Sequence, residues 1–292
     1  MSCLDRWYKS GSALLNEIDN AKTQPGMVLL WFLGQMGFVI KIGETIIYID
    51  ALLNDFQDKK EGVRRIYDPP YNTAAGVRAD YFISTHNHGD HLNLETILPQ
   101  AGANPKTHFI VPMPWRSVLI GAGIKEDRVT GAQEGKSLVL RDANCGALHD
   151  CISLFPVAAA HDKYEQDGNG DYTCLGYVIR GGGIGIYHAG DTMVTPRLVE
   201  TLKALKPIDI AILPINGGDW ERTAKGIIGN MHIADAVKLA QALETDLVIP
   251  AHYDMMNNNS VNPAHFADEI YRTCPRQKYH IFALGEQFCY RK

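Results

Sequence analysis

Thr85-His86-Asn87-His88-Gly89-Asp90-His91 follows directly on the apolar run Tyr81-Phe82-Ile83-Ser84. Imidazoles and a carboxylate crowd into six positions at the point where a strand would end. Imidazole nitrogen and carboxylate oxygen suit zinc, manganese and iron, and an H-x-H-x-D-H spacing can serve two neighbouring ions. Two such ions can make water nucleophilic near neutral pH. The plain alternative is a polar loop with chance histidines. The chain has only 11 histidines in 292 residues, so three within six positions favours a metal site over chance.

Partners stand further along. His161 follows the apolar stretch Cys151 to Ala160. Asp191 lies in Tyr187-His188-Ala189-Gly190-Asp191-Thr192, and His252 follows Asp246 to Pro250. Each falls where a strand gives way to a loop, a common setting for reactive groups on a rigid scaffold. A lone histidine at such a place is more often structural. The order of the whole set resembles the metallo-β-lactamase superfamily, over roughly Val28 to His252. Within it, Pro25 to Gly37, Asp209 to Asn216, Met231 to Ala236 and Val248 to Asp254 are most similar to the L-ascorbate-6-phosphate lactonase group.

That resemblance implies an α/β protein, an αββα four-layer sandwich, with the metal site along one edge. It implies one ion on His86, His88 and His161, a second on Asp90, His91 and His252, and Asp191 between them. It implies a metal-dependent hydrolase, with Asp90 doubling as a proton carrier. Manganese is the ion of the lactonase likeness, and zinc fits the histidines equally. The expected reaction opens a lactone or ester in a small, sugar-derived substrate, with or without a phosphate. A phosphodiesterase acting on cyclic nucleotides or RNA ends is the second reading, since the same centre attacks phosphorus. A non-catalytic metal sensor is the third, and it predicts a broken ligand set that this chain does not show.

Outside the ligands the signals weaken. His232 precedes an amphipathic segment with Asn230 as an N-cap candidate; it reads as either a substrate or oxyanion contact or a surface histidine. His188 reads as support or packing. Lys163, Arg222 and Lys225 are candidates for a phosphate, against the usual solvated role of such residues. Trp220 and Tyr253 are candidates to wall a substrate, against an interface role for Trp220 and packing for Tyr253.

Composition agrees with a globular enzyme: 46% hydrophobic and 21% charged residues. The formal net charge of -5 gives no general pull toward nucleic acid or anionic membrane. Met1 to Arg6 has no apolar core of a leader, and no apolar run nears the ~20 residues of a membrane span. The six cysteines form no Cys-x-x-Cys pair and read as reduced thiols. A cytoplasmic setting is the expectation, and an assembly of identical subunits stays open.

One domain over residues 1–292 is expected, opening with a helical segment over about residues 1–24. Met27–Leu33, Phe38–Ile42 and Thr45–Asp50 read as a strand meander. The stretch from Asp50 to Ala79 reads as a long loop bordering the site. Gly181-Gly182-Gly183 reads as a hairpin turn between strands. Pro196 to Lys206 and Ile233 to Leu243 carry helical stripes, and a final strand is expected at Tyr279–Ala283.

Overall fold

The computed structural model describes residues 6–58, 62–71, 76–141, 151–224 and 227–292. After helix α1 (Gly11–Asn20), strands β1 (Met27–Gly34), β2 (Gly37–Ile42) and β3 (Thr45–Ile49) form the expected antiparallel meander. A short ribbon of β4 (Gln57–Asp58) and β5 (Val63–Arg64) interrupts the long loop. Then β6 (Tyr81–Ile83), helix α2 (Leu94–Ala103), β7 (His108–Pro112), helix α3 (Arg116–Gly121) and β8 (Val129–Ala132) follow. These three strands extend β3 in parallel.

The second half repeats that plan. Strands β9 (Leu138–Arg141), β10 (Ile152–Ala158), β11 (Leu175–Gly181) and β12 (Ile184–His188) pair antiparallel. Past helix α4 (Pro196–Ala204), strand β13 (Ile210–Pro214) runs parallel to β12. Helices α5 (Trp220–Ala224) and α6 (Ile233–Leu243) lead to β14 (Leu247–Ala251), then α7 (Ala264–Thr273) and β15 (Lys278–Tyr279). The chain closes with β16 (Gln287–Arg291), which crosses back to pair with β1. Among the described residues, two sheets of seven strands result.

Period-two alternation explains why the first sheet is covered on both faces. Val28, Leu30 and Phe32 of β1 enter the core between the sheets, with Phe38, Ile40, Ile47 and Ile49. Leu29, Trp31, Leu33, Val39 and Tyr48 point the other way, onto Leu14 and Ile18 of α1, Ile97 of α2 and Leu119 of α3. Helices α4, α6 and α7 cover the second sheet through Leu198, Leu202, Ala240, Phe266 and Ile270. The layers are therefore helix, sheet, sheet, helix, as the resemblance implies.

The turn at Gly182 and Gly183 has φ of 62° and 79°, the left-handed pair that a two-residue hairpin between β11 and β12 requires. The expected strand at Tyr279–Ala283 is cut to Lys278–Tyr279, and the true closing strand is β16. Short-range pattern cannot announce a strand whose partner lies at the other end of the chain. Among the described residues, no helix is long and apolar enough to cross a membrane.

Candidate metal centre

Strands β6, β10, β12 and β14 point their carboxyl ends at one edge, where the two sheets meet. Cross-sheet hydrogen bonds lock that edge: Leu175 N donates to Thr85 O (2.9 Å), His252 N to Gln35 O (2.7 Å) and Tyr177 Oη to Ser84 O (3.1 Å). Gly190 lies against Thr85 so closely that a Cβ there would sit 2.7 Å from the threonine Cβ. The loops after β6, β10, β12 and β14 thus converge.

They bring together the seven residues singled out in the sequence. His86, His88 and His161 form one group of potential ligand atoms. His86, His91 and Asp191 form a second, and Asp90, His91 and His252 a third, with the atoms of each group within 4.8 Å of one another. Asp191 sits at the middle. Its Oδ2 lies 3.4 Å from His161 Nε2 and 3.1 Å from His252 Nε2, while its Oδ1 lies 3.5 Å from His91 Nε2. Asp90 Oδ2 is 3.6 Å from both His91 Nε2 and His252 Nε2.

Three polar atoms in this cradle, His86 Nε2, His91 Nε2 and Asp191 Oδ1, are buried with no hydrogen-bond partner among the described residues. Buried polar atoms left unpaired cost about 1–3 kcal/mol each, so their convergence needs a reason. A nitrogen and oxygen set of this kind, without thiolate, fits divalent cations.

The charges also explain one another. Burial works against charge on His91, but Asp191, Asp90 and Asp50 lift its pKa from 6.5 to about 10. Burial pushes the Asp191 carboxyl up, yet His252 and His91 outweigh it and hold the group well below the usual range. His86 is driven well below its ordinary value by burial, and His91 adds to the effect.

Three supporting residues are not evident from the sequence pattern. Asp50, at the end of β3, accepts from Thr85 N (2.8 Å) and Thr85 Oγ1 (2.7 Å), and its Oδ2 meets His91 Nδ1 at 2.8 Å. This fixes the His91 ring with Nε2 facing the cradle. Gln35, after β1, donates from Nε2 to Asp90 Oδ2 (3.0 Å). Asn230 donates from Nδ2 to Asp191 Oδ2 (3.1 Å). The only available signal is polarity at a strand end: Asp50 closes Ile46-Ile47-Tyr48-Ile49, and Gln35 interrupts Gly34 to Gly37. Gln35, Asp50, Asn230 and His252 all have φ between 47° and 65°. Non-glycine residues in that region cluster at functional sites, where surrounding contacts hold them.

Asn230 is not the cap of α6. Its φ of 65° excludes the extended cap conformation, and His232 takes that position with φ -69° and ψ 155°. His188 is buried below the site, its Nε2 2.8 Å from Met36 O.

A cavity of about 360 Å³ opens over the cradle. His88, Asp90, His161, Asp191 and His252 line it, together with Phe56 and Val63 from the long loop and the carboxamides of Asn216, Asn258 and Asn259. The candidate substrate contacts are scattered. His232 is exposed and lines a neighbouring cavity with Asp162 and Asp235. Tyr253 is a core residue instead of a cavity wall: its hydroxyl donates to Phe282 O (3.4 Å) and its ring lies 5.7 Å from Phe32. Trp220 is 82% exposed at the start of α5 and lines neither cavity. Lys163 is exposed, while Arg222 is held by Asp219, Asn216 O and Gly217 O. Lys225 lies outside the described residues.

Comparison with known proteins places this site in a family. A probable L-ascorbate-6-phosphate lactonase, UlaG, of Salmonella heidelberg is 24% identical over 90% of this chain and 79% of its own length. Igni18, a metallo hydrolase of Ignicoccus hospitalis, matches the fold with a TM-score of 0.66 at 20% identity, covering 91% of this chain and 99% of its own. An isothiocyanate hydrolase from Delia radicum gut bacteria matches with a TM-score of 0.66 at 18% identity, over 90% of this chain and 99% of its own. A sequence profile described as the Beta-lactamase superfamily domain matches residues 45–253, well over half of the chain. The chain therefore belongs to the β-lactamase superfamily and is a metal-dependent hydrolase of that superfamily.

Proposed function

We propose that the protein opens a lactone or related ester in a small sugar-derived substrate, using two divalent cations, manganese or zinc. In this reading His86, His88 and His161 hold one cation, Asp90, His91 and His252 hold the other, and Asp191 lends an oxygen to each. The supporting observation is the trio of buried, unpartnered atoms His86 Nε2, His91 Nε2 and Asp191 Oδ1 at the meeting point of the strand ends. Cations bound there supply Lewis acidity toward a carbonyl oxygen and make water nucleophilic near neutral pH.

The chain's own groups do the rest. Asp90 lines the cavity with Oδ2 held by Gln35, and in this reading it carries the proton of the attacking water to the departing alkoxide. The cavity volume suits a small molecule. Carboxamides offer both donors and acceptors, which matches a hydroxyl-bearing substrate. Phe56, Val63 and Met256 give it an apolar side that limits water. The name of the lactonase relative supports the ester chemistry.

The test is an activity screen over sugar lactones, with and without a phosphate, beside cyclic phosphodiesters. Lactone turnover that a chelator abolishes and manganese or zinc restores is the expected result. Preference for cyclic phosphodiesters would replace this reading with phosphodiester hydrolysis. Undiminished turnover after thorough chelation would end the two-cation assignment.

A further inference from the structure

We propose that Asn230 is a positioning residue that fixes Asp191 between the two cation positions, as the inner end of a hydrogen-bonded line running in from Arg222. The inference rests on the cation assignment above.

The line is continuous. Arg222 Nη1 donates to Asn259 Oδ1 (3.1 Å), and Asn216 Nδ2 donates to the same oxygen (3.0 Å). Asn230 Nδ2 donates to Asn216 Oδ1 (3.0 Å) and to Asp191 Oδ2 (3.1 Å). The polarity of each amide follows from the two ends. A guanidinium can only donate, so Asn259 must present its oxygen to it. Asn216 must then offer nitrogen to that oxygen, which turns its own oxygen toward Asn230. Asn230 is left to present nitrogen, and the second hydrogen of that nitrogen reaches Asp191. An ionised carboxylate can only accept, so the inner end demands the same orientation as the outer end. Amide oxygen and nitrogen are otherwise easily exchanged in assignment, and here both termini agree.

The consequence falls on Asp191. With Oδ2 held by Asn230, its Oδ1 is kept facing His91 and His86, buried and without another partner. A carboxylate free to rotate would not present its two oxygens to two fixed positions. Asn230 itself is buried, and its φ of 65° is a conformation that asparagine tolerates better than most residues. The preceding residue serves the same end: a Cβ on Gly229 would lie 1.8 Å from His161 O and 2.7 Å from His161 Nδ1. One turn thus abuts His161 and orients Asp191.

The same turn gives a clean experiment. Asn230→Gly keeps a backbone that glycine adopts freely and deletes the side chain with its carboxamide. Asn230→Asp keeps the size and sets an acceptor against Asp191. Both are compared with the wild type for ions bound per chain, for the rate of ion release to a coloured chelator with manganese and with zinc, and for melting temperature without metal. Ion affinity should fall about 10–100-fold in Asn230→Gly, the usual cost of losing a group that orients a ligand, and at least as far in Asn230→Asp. Metal-free melting should stay close to wild type in Asn230→Gly. Ion release as slow as wild type in both variants overturns the proposal, whatever their melting temperatures. A wild type that binds neither cation would instead overturn the cation assignment on which it rests.

Discussion

Asp191 and Asp50 are both buried carboxylates within a few ångströms of His91, yet they do different work. Asp191 faces the cradle with an oxygen that has no hydrogen-bond partner among the described residues. Asp50 lies behind the ring, saturated by Thr85 and His91 Nδ1. Asp191→Ala should therefore lose bound metal and hydrolysis together while circular dichroism shows the fold intact; full turnover in that variant would remove its assigned role. Asp50→Asn replaces an acceptor with an amide that can present a donor to His91, so the ring loses its tautomer. Metal affinity should drop about 10–100-fold, read by chelator competition. The raised pKa of His91 adds a pH prediction. In the metal-free protein the imidazolium stabilises the fold fully below pH 6.5, and this contribution fades as pH rises through about 10. A cation at Nε2 must displace that proton, so apparent metal affinity should rise with pH between those limits. Calorimetric metal titrations at pH 7 should give heats that change with the buffer's ionisation enthalpy; identical heats in all buffers would contradict this.

At the scale of elements, strands deliver the proposed ligands and helices brace the strands. Lys41 shows how far that bracing goes. It lies on the outer face of β2, almost fully buried, where alternation with Ile40 and Ile42 places it toward α1. Its ammonium donates to Ile18 O (2.6 Å) and Asp19 O (2.9 Å), two of the last carbonyls of α1. Positive charge at a helix C-terminus also matches the helix dipole. Trp31 of β1 adds a hydrogen bond from Nε1 to Glu17 Oε1 (3.1 Å). Lys41→Met keeps the apolar stem but leaves these carbonyls unpaired, which should cost about 1–3 kcal/mol of stability in urea unfolding. The cradle lies at the far edge of the strands, so metal content should be unchanged. The alternating pattern made these strands and the stripes of α4 and α6 legible. The pairing of β16 with β1 was not legible, because register across distant segments is set by burial in three dimensions.

For the whole molecule, the proposed ligands divide between halves. His86, His88, Asp90 and His91 follow β6 of the first sheet, whereas His161, Asp191 and His252 follow β10, β12 and β14 of the second. Cations that bind this set bridge the sheets and bind the folded state alone. Linkage then adds about 4 kcal/mol when free cation stands at about 1,000 times its dissociation constant. Chelation should lower the melting temperature by several degrees, and restoring manganese or zinc should recover it. A melting temperature indifferent to both would mean that the cradle does not tie the halves together.

The sequence by itself determined the histidine-rich candidate metal stretch Thr85 to His91, the alternation of β1 to β3, and the order in which His161, Asp191 and His252 recur. Those features are local or periodic, so the residue string carries them directly. Only the tertiary structure decided that Asp50 orients His91, that Asn230 serves Asp191 instead of capping α6, and that Tyr253 belongs to the core while Arg222 braces a loop. Each of these roles is a contact between segments far apart in the chain. Such contacts come into being when two sheets bury their shared apolar face and draw the strand ends to one edge.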